Sequence, residues 1–197
     1  ASLAGRYVEE IAEACQNTGI DRVELDALRG LPLARLKTSA IVAAVAALRD
    51  QGVGVCALRL SAAGEAFTAA LTAAAEAGVG RLVMPLTDRA GAYAAAAAER
   101  GVRIAFANRA LMRDVVSDIM LGLRSRGLEA GLAFSPADFA AAGENPFLAS
   151  YRHRLRRFID QVDLEDGRFD GTPATLMQGN AEIKELVSIL RCCSFDG

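Results

Sequence analysis

Residues 128–171 read LEAGLAFSPADFAAAGENPFLASYRHRLRRFIDQVDLEDGRFDG, and two short apolar runs inside this stretch decide the fold. The first, Ala130 to Phe134, breaks off at Ser135-Pro136. The second, Ile159 to Leu164, carries Asp160 and Asp163 and is followed by Asp166. Carboxylates therefore collect where a buried strand would leave a parallel sheet, the edge at which α/β folds place their chemistry.

Outward from this stretch the chain repeats itself. A helical segment ends in a polar residue and Gly, then Ile, Val or Leu, then an apolar run: NTGIDRVEL (17–25), DQGVGVCAL (50–58), EAGVGRLVM (76–84), ERGVRIAFA (99–107) and SRGLEAGLA (125–133). Gly suits the left-handed position just past a helix, and the apolar run suits a strand covered on both faces. The glycines Gly19, Gly52, Gly78, Gly101 and Gly127 are 33, 26, 23 and 26 residues apart, room for one strand, one loop and one helix. A βα repeat with right-handed crossovers builds a parallel sheet.

The spacing predicts helices over 3–17, 38–51, 64–77, 89–100, 110–126, 146–158 and 180–193. Strands are predicted over 21–26, 53–60, 80–86, 102–107, 130–135 and 159–165. Ala, Leu, Glu and Arg dominate the helices, and Ile41, Val45 and Leu48 make an apolar face at helical spacing. The near-continuous alanine from Tyr93 to Ala98 lets a helix lie close to a sheet. In 144–151, Asn145 is a candidate cap and Pro146 falls in the first turn. Six parallel strands and seven helices are two strands short of a (β/α)8 barrel, which closes its edges with eight strands and about 250 residues. The expectation is one domain over 1–197, α/β, TIM-barrel-like and incomplete by one strand at each end.

Composition excludes several classes. The 197 residues are 52% hydrophobic and 23% charged, enough to bury a sizeable core and too apolar for disorder. No apolar run reaches the roughly 20 residues that cross a bilayer, so no membrane partner is expected. No basic, apolar, small-residue succession at the start marks a signal peptide, so a cytosolic location is expected. With 22 basic against 24 acidic residues and no long basic block, a nucleic-acid partner held through phosphates is not expected.

The four cysteines, Cys15, Cys56, Cys192 and Cys193, lack CxxC spacing, and His153 is the one histidine, which gives a zinc cluster little to draw on. Cys15 and Cys56 lie in apolar segments and read as small hydrophobes. The adjacent Cys192-Cys193 pair reads as a helix end with one buried and one exposed thiol. His153 sits in YRHRLRRF, a basic face expected on an outer helix.

The order of these motifs resembles the sugar phosphate isomerase/epimerase family with the xylose-isomerase-like TIM barrel. The carriers are NTGIDRVEL as second strand, ERGVRIAFAN (99–108) as fifth, GLAFSPADFAAAGENPF (131–147) as sixth and QVDLEDG (161–167) as seventh. LMQGNAEIKELVSILRCCSFDG (176–197) stands as the last helix before the eighth strand. The resemblance implies a divalent metal, manganese or magnesium, held at the barrel mouth by Glu, Asp, His and Glu at the ends of strands five to eight. That metal orients sugar hydroxyls and stabilises an enediolate while carboxylates move protons. This chain departs from the pattern. Ala107 stands where Glu precedes Asn, Ser135 where Asp precedes Pro, and Asp163 where His is usual, while the fourth position falls beyond Gly197. One remaining carboxylate cannot hold a hard dication that keeps about six oxygen ligands.

The candidate catalytic residues are Asp163, Asp166 and Glu24, and the candidate substrate contacts are Asn108, Ser135 and Arg109. No residue is assigned to a metal. Glu24 either points into the barrel as a polar contact or pairs with a neighbour. Asp138 is a possible helper of a different oxygen site, and Arg59 or Arg109 could grip a phosphate or sugar acid through a bidentate fork. The polar connection GRFDGTPATLMQGN (167–180) is long enough to fold over the mouth, with Gly167, Gly171 and Gly179 as joints. Two functions follow. One is a sugar or sugar-phosphate isomerase/epimerase of carbohydrate metabolism, working by proton transfer beside a carbonyl. The other is a non-catalytic binding or regulatory barrel that has lost the metal site. The expected partner is a small sugar or sugar phosphate, and a homo-oligomer is compatible with the chain.

Overall fold

The computed structural model describes residues 7–64 and 66–195. The chain runs α1 (Val8–Thr18), β1 (Arg22–Leu25), α2 (Thr38–Asp50), β2 (Gly54–Arg59), α3 (Ala66–Ala77), β3 (Arg81–Pro85), α4 (Ala90–Ala98) and β4 (Arg103–Ala107). It continues through α5 (Arg113–Ser125), β5 (Gly131–Phe134), α6 (Pro136–Ala141), a wide π-type helix (Pro146–Leu155), β6 (Ile159–Val162) and α7 (Ile183–Cys192). The six strands hydrogen-bond in chain order. The pairs β1–β2, β2–β3, β4–β5 and β5–β6 are parallel. Every strand expected from the repeat is present. The short helix α6 was not expected, and the stretch before Tyr7 in the first expected helix lies outside the described residues.

The repeat has one local cause. At each joint the glycine has a φ between 67° and 80°, and the apolar residue after it donates its N–H back to the carbonyl five residues earlier. Val53 bonds to Leu48 at 2.9 Å, Val79 to Ala74 at 2.8 Å and Leu128 to Leu123 at 3.0 Å. These are Schellman closures, which satisfy helix carbonyls that would otherwise face the strand unpaired. Gly followed by Ile, Val or Leu is therefore the chemistry of one turn, repeated five times, while the residue before the glycine is polar in four joints and Ala77 in the other.

The chain forms two compact units, Ala1–Thr87 with Ala92–Ile104, and Asp88–Gly91 with Ala105–Gly197. In the first, α2 buries Ile41, Ala44, Val45 and Leu48, spaced as one helical face, and packs on β2 and α3. Leu58, Leu82, Val83 and Met84 are fully buried, as a parallel strand covered on both faces requires. Each such side chain contributes roughly 1.5–3 kcal/mol by leaving water. The Phe67 and Tyr93 rings meet with centroids 4.5 Å apart.

In the second unit the register pairs Ala105 with Gly131, Phe106 with Leu132, and Ala107 with Ala133. Side chains alternate along a strand, so Ala105, Ala107, Gly131 and Ala133 share one face and Phe106, Leu132 and Phe134 the other. The second face is the one covered by helices: the Phe134 ring lies 5.0 Å from Phe139 of α6 and 6.2 Å, edge-on, from Tyr151 of the wide helix. The first is a floor of side chains no larger than methyl.

The cysteines depart from expectation. Cys15 is buried, but Cys56, Cys192 and Cys193 are all exposed. The Cys56 thiol donates to the Val23 carbonyl at 3.3 Å. Arg156 donates to Cys193 Sγ at 2.9 Å, which draws that sulfur outward to the guanidinium instead of into the core. Asn145 precedes the wide helix as expected, yet its side chain caps nothing. Glu182, at the start of α7, reaches across instead, its Oε2 accepting from Phe147 N at 2.7 Å and Leu148 N at 3.3 Å.

The alanine-rich helix α4 offers a direct test of close packing. Ala97 is fully buried and Ala98 is exposed. Ala97→Leu should overpack the core and cost about 1–3 kcal/mol in urea denaturation, whereas Ala98→Leu should stay within about 0.5 kcal/mol of the parent.

Candidate functional site

The strand ends of the second unit gather most of the polar residues chosen from the sequence. Asn108 follows β4 and Ser135 follows β5. Asn108, fully buried, donates from Nδ2 to the Ser135 carbonyl at 3.2 Å, while Ser135 N donates to Asn108 Oδ1 at 2.8 Å. The side-chain amide thus imitates one more rung of the strand ladder beyond Ala107. The Ser135 hydroxyl accepts from Asp138 N at 3.2 Å and caps α6. Arg109 sits in a left-handed turn, φ 45°, where its N–H donates to Asp138 Oδ2 at 3.1 Å.

Asp163 extends β6 by one bond, its N–H donating to Phe134 O at 2.9 Å. Its Oδ1 accepts from Gln161 Nε2 at 2.8 Å. Gln161 pairs with Ala133, so Gln161 and Asp163, two residues apart, stand on the methyl-floored face. Asp160 belongs to the same edge: a Cβ on Gly131 would stand 2.8 Å from the Asp160 Cβ, which is why only glycine fits opposite it. Asp160, Gln161 and Asp163, half-buried, are the polar groups that this face presents.

Asp166 lies apart from them in role. It is buried, at 7% exposure, and accepts from Gly167 N at 2.9 Å, Gly179 N at 2.9 Å and Ala181 N at 3.1 Å. Burial alone would raise its carboxyl, but backbone N–H groups of Gly179, Ala181, Gly167 and Met177 outweigh it and hold the group below the usual carboxylate range. The 167–180 connection is stitched to this carboxylate. A Cβ on Gly179 would meet Gly167 O at 2.6 Å and Asp166 Cγ at 2.8 Å. That glycine therefore serves a close approach, where the sequence suggested a joint. Asp166–Gly167 also pairs antiparallel with Pro173–Ala174.

Glu24 is in the first unit. It shares a strand face with Ala57, its register partner, and with Arg59. Its Oε1 accepts from Arg59 Nε, and each side chain is about a quarter exposed. Of the two alternatives open from sequence, Glu24 therefore pairs with a neighbour. Burial first, and the Glu24 charge second, push the nearby Cys56 thiol up. The His153 side chain lies outside the described residues.

The chemistry of the donor set does not fit a family-type dication. Ala107 offers a methyl, the Ser135 hydroxyl is engaged as a helix cap, and Asp163 is the remaining anion. Among the described residues, no group of three or more His, Cys, Asp or Glu is placed to hold a metal ion. Sequence reasoning passed over Gln161 and left Glu144 and Glu182 out of its candidates. Glu144, at 9% exposure, accepts from Arg113 N through both oxygens at 3.2 Å and from Ser150 Oγ at 3.0 Å. A polar side chain between strand residues was the available signal for Gln161.

The Asp166 bonds set a pH dependence. Its folded pKa is depressed, so its contribution is complete above the unfolded value of about 3.9 and is lost as pH falls through that value toward the folded one. Asp166→Asn should cost about 1.5–3 kcal/mol at neutral pH and flatten the fall in stability below about pH 5, measured by urea denaturation across pH.

No protein-family model matches this chain, and no curated protein does. Solved structures do. A xylose isomerase domain protein from Planctomyces limnophilus superposes with a TM-score of 0.75 at 14% identity, over 94% of this chain and 80% of that one. An uncharacterized protein from Parabacteroides distasonis superposes with a TM-score of 0.65 at 17% identity, over 97% of this chain and 82% of that one. No helix among the described residues is long and apolar enough to cross a membrane. At these identities the likeness is one of fold: the parallel strand order, the helix-to-strand joints and the superposition on the xylose isomerase domain protein agree on an α/β fold of the incomplete TIM-barrel kind.

Proposed function

We propose that this chain is a binding barrel: a xylose-isomerase-like fold that holds a small sugar or sugar phosphate at the strand ends of its second unit, without metal-assisted proton transfer. The observation that carries the proposal is the state of the edge. Ala107 cannot ligate, and Ser135, Asn108 and Asp138 are engaged with backbone. The methyl-floored face carries Asp160, Gln161 and Asp163, with Gln161 donating to Asp163, and these are groups suited to hydroxyls: a carboxylate accepts from a sugar hydroxyl and an amide donates and accepts. Carbohydrate handling in the cytosol is the setting this function would suit.

The second reading keeps the isomerase/epimerase chemistry, with Asp163 as the base that moves a proton beside the carbonyl. It is favoured by the fold likeness to a xylose isomerase domain protein and by the position of Asp163 at a strand end.

One experiment separates the two. The protein is incubated with aldoses, ketoses and their phosphates in D2O with millimolar manganese or magnesium, and loss of the C–H signal beside the carbonyl is followed by NMR. Binding without exchange, and no thermal stabilisation by either metal, is the expected outcome. Exchange that vanishes in Asp163→Asn would establish the isomerase instead. Sugar affinity itself should fall about tenfold in Asp163→Asn, the loss of one charge-assisted hydrogen bond.

A further inference from the structure

A cleft of about 460 Å³ opens in the second unit beside α5 and the wide helix, lined by Arg113, Asp114, Ser117, Asp118, Ser150 and Arg154. Ser117 is the informative member. It is 2% exposed, and its Oγ has no hydrogen-bond partner. A serine inside a helix ordinarily bonds back to the carbonyl one turn earlier; this one does not, and faces the cleft. A buried hydroxyl left unsatisfied is destabilising, and a ligand that bonds to it removes that cost.

The wall around it is held in place from beneath. Glu144 fixes Ser150 Oγ at 3.0 Å and the Arg113 N–H at 3.2 Å. Arg113 Nη1 donates to Ala149 O at 3.2 Å. Its Nε stands 3.5 Å from Asp114 Oδ1, a long pair that leaves the two charges side by side. Asp118, one turn on from Asp114, faces the same way.

This lining selects by charge. A simple anion would meet Asp114 and Asp118, and a simple cation would meet Arg113 and Arg154. A ligand carrying both signs on neighbouring atoms meets each with its opposite. We propose that the cleft binds a free α-amino acid, its carboxylate toward the arginines, its ammonium toward the aspartates, and Ser117 Oγ bonded to one of them. The proposal uses none of the strand-end residues and stands or falls without them.

The test is titration of the full-length 15N-labelled chain with a panel of free amino acids, with acetate, methylamine and a monosaccharide as separate arms. An amino acid should shift the amides of Ser117, Asp118 and Ser150 saturably, and acetate and methylamine should not. Ser117→Val should weaken that binding about tenfold while leaving the melting temperature unchanged or higher, because it removes an unpaired hydroxyl. If that variant fails to fold, exposed Arg154 replaced by Gln carries the same comparison. The proposal is overturned if no amino acid shifts the cleft, if a monosaccharide or a single-charge arm does so equally, or if binding is as tight in Ser117→Val, the last meaning that water suffices for the hydroxyl.

Discussion

A backbone N–H that leaves a strand or opens a helix must find an acceptor, and in the second unit carboxylates supply it again and again. Asp138 takes Arg109 N, Glu144 takes Arg113 N, Glu182 takes Phe147 and Leu148, and Asp166 takes Gly167, Gly179 and Ala181. Each is a charge-assisted bond of the stronger kind, and three of the four acids serve donors at a helix start or a turn, Arg113, Phe147 with Leu148, and Arg109, where orphan donors concentrate. The loops at the strand ends are built on these bonds. An oxygen already accepting from two or three N–H groups is a poor base and a poor ligand, so these acids serve the loops.

That distinction was invisible along the chain for a geometric reason. The fold was legible because its decisive chemistry is local: a Schellman turn involves residues within five positions, so Gly52 followed by Val53, or Gly78 followed by Val79, announces its own structure. The partners at the site are remote. Asn108 and Ser135 are 27 residues apart, Glu182 and Phe147 are 35 apart, and Asp166 and Gly179 are 13 apart. Nothing in the neighbourhood of Asp166 distinguishes a loop anchor from a catalytic acid, and nothing near Glu144 marks it as the acceptor for Arg113 and Ser150. Asp163 and Asp166 look equivalent in QVDLEDG, yet one completes a strand and the other ties a loop. Glu24 shows the same limit from the other side, since its Arg59 partner comes from the next strand.

The turn after β4 shows how these bonds convert into rigidity. Arg109 and Ala110 both adopt left-handed backbone, φ 45° and 55°, which costs roughly 1–3 kcal/mol per residue and survives only where the surroundings over-determine it. Here they do. Asn108 is bolted to Ser135 by two hydrogen bonds, Leu111 N closes on Asn108 O at 3.0 Å, and Asp138 holds Arg109 N from the far side. Removing any one acceptor would release strain as well as break a bond, so these polar residues are coupled and their substitutions should not be additive.

Rigidity of this kind bears on what Ala107 and Ser135 mean at the ends of their strands. Where a dication is bound, mutual repulsion of the carboxylates around it is the cost that the metal offsets; without the metal such a rim would be pushed apart or protonated. In this chain the positions that end β4 and β5 carry a methyl and a helix-capping hydroxyl, and the nearby acids face N–H groups instead of one another. The shape of this rim therefore rests on hydrogen bonds within the chain. An edge stabilised in this way has its conformation fixed by loop closure, and under the proposed binding role it would present Asp160, Gln161 and Asp163 in one arrangement to a hydroxylated ligand.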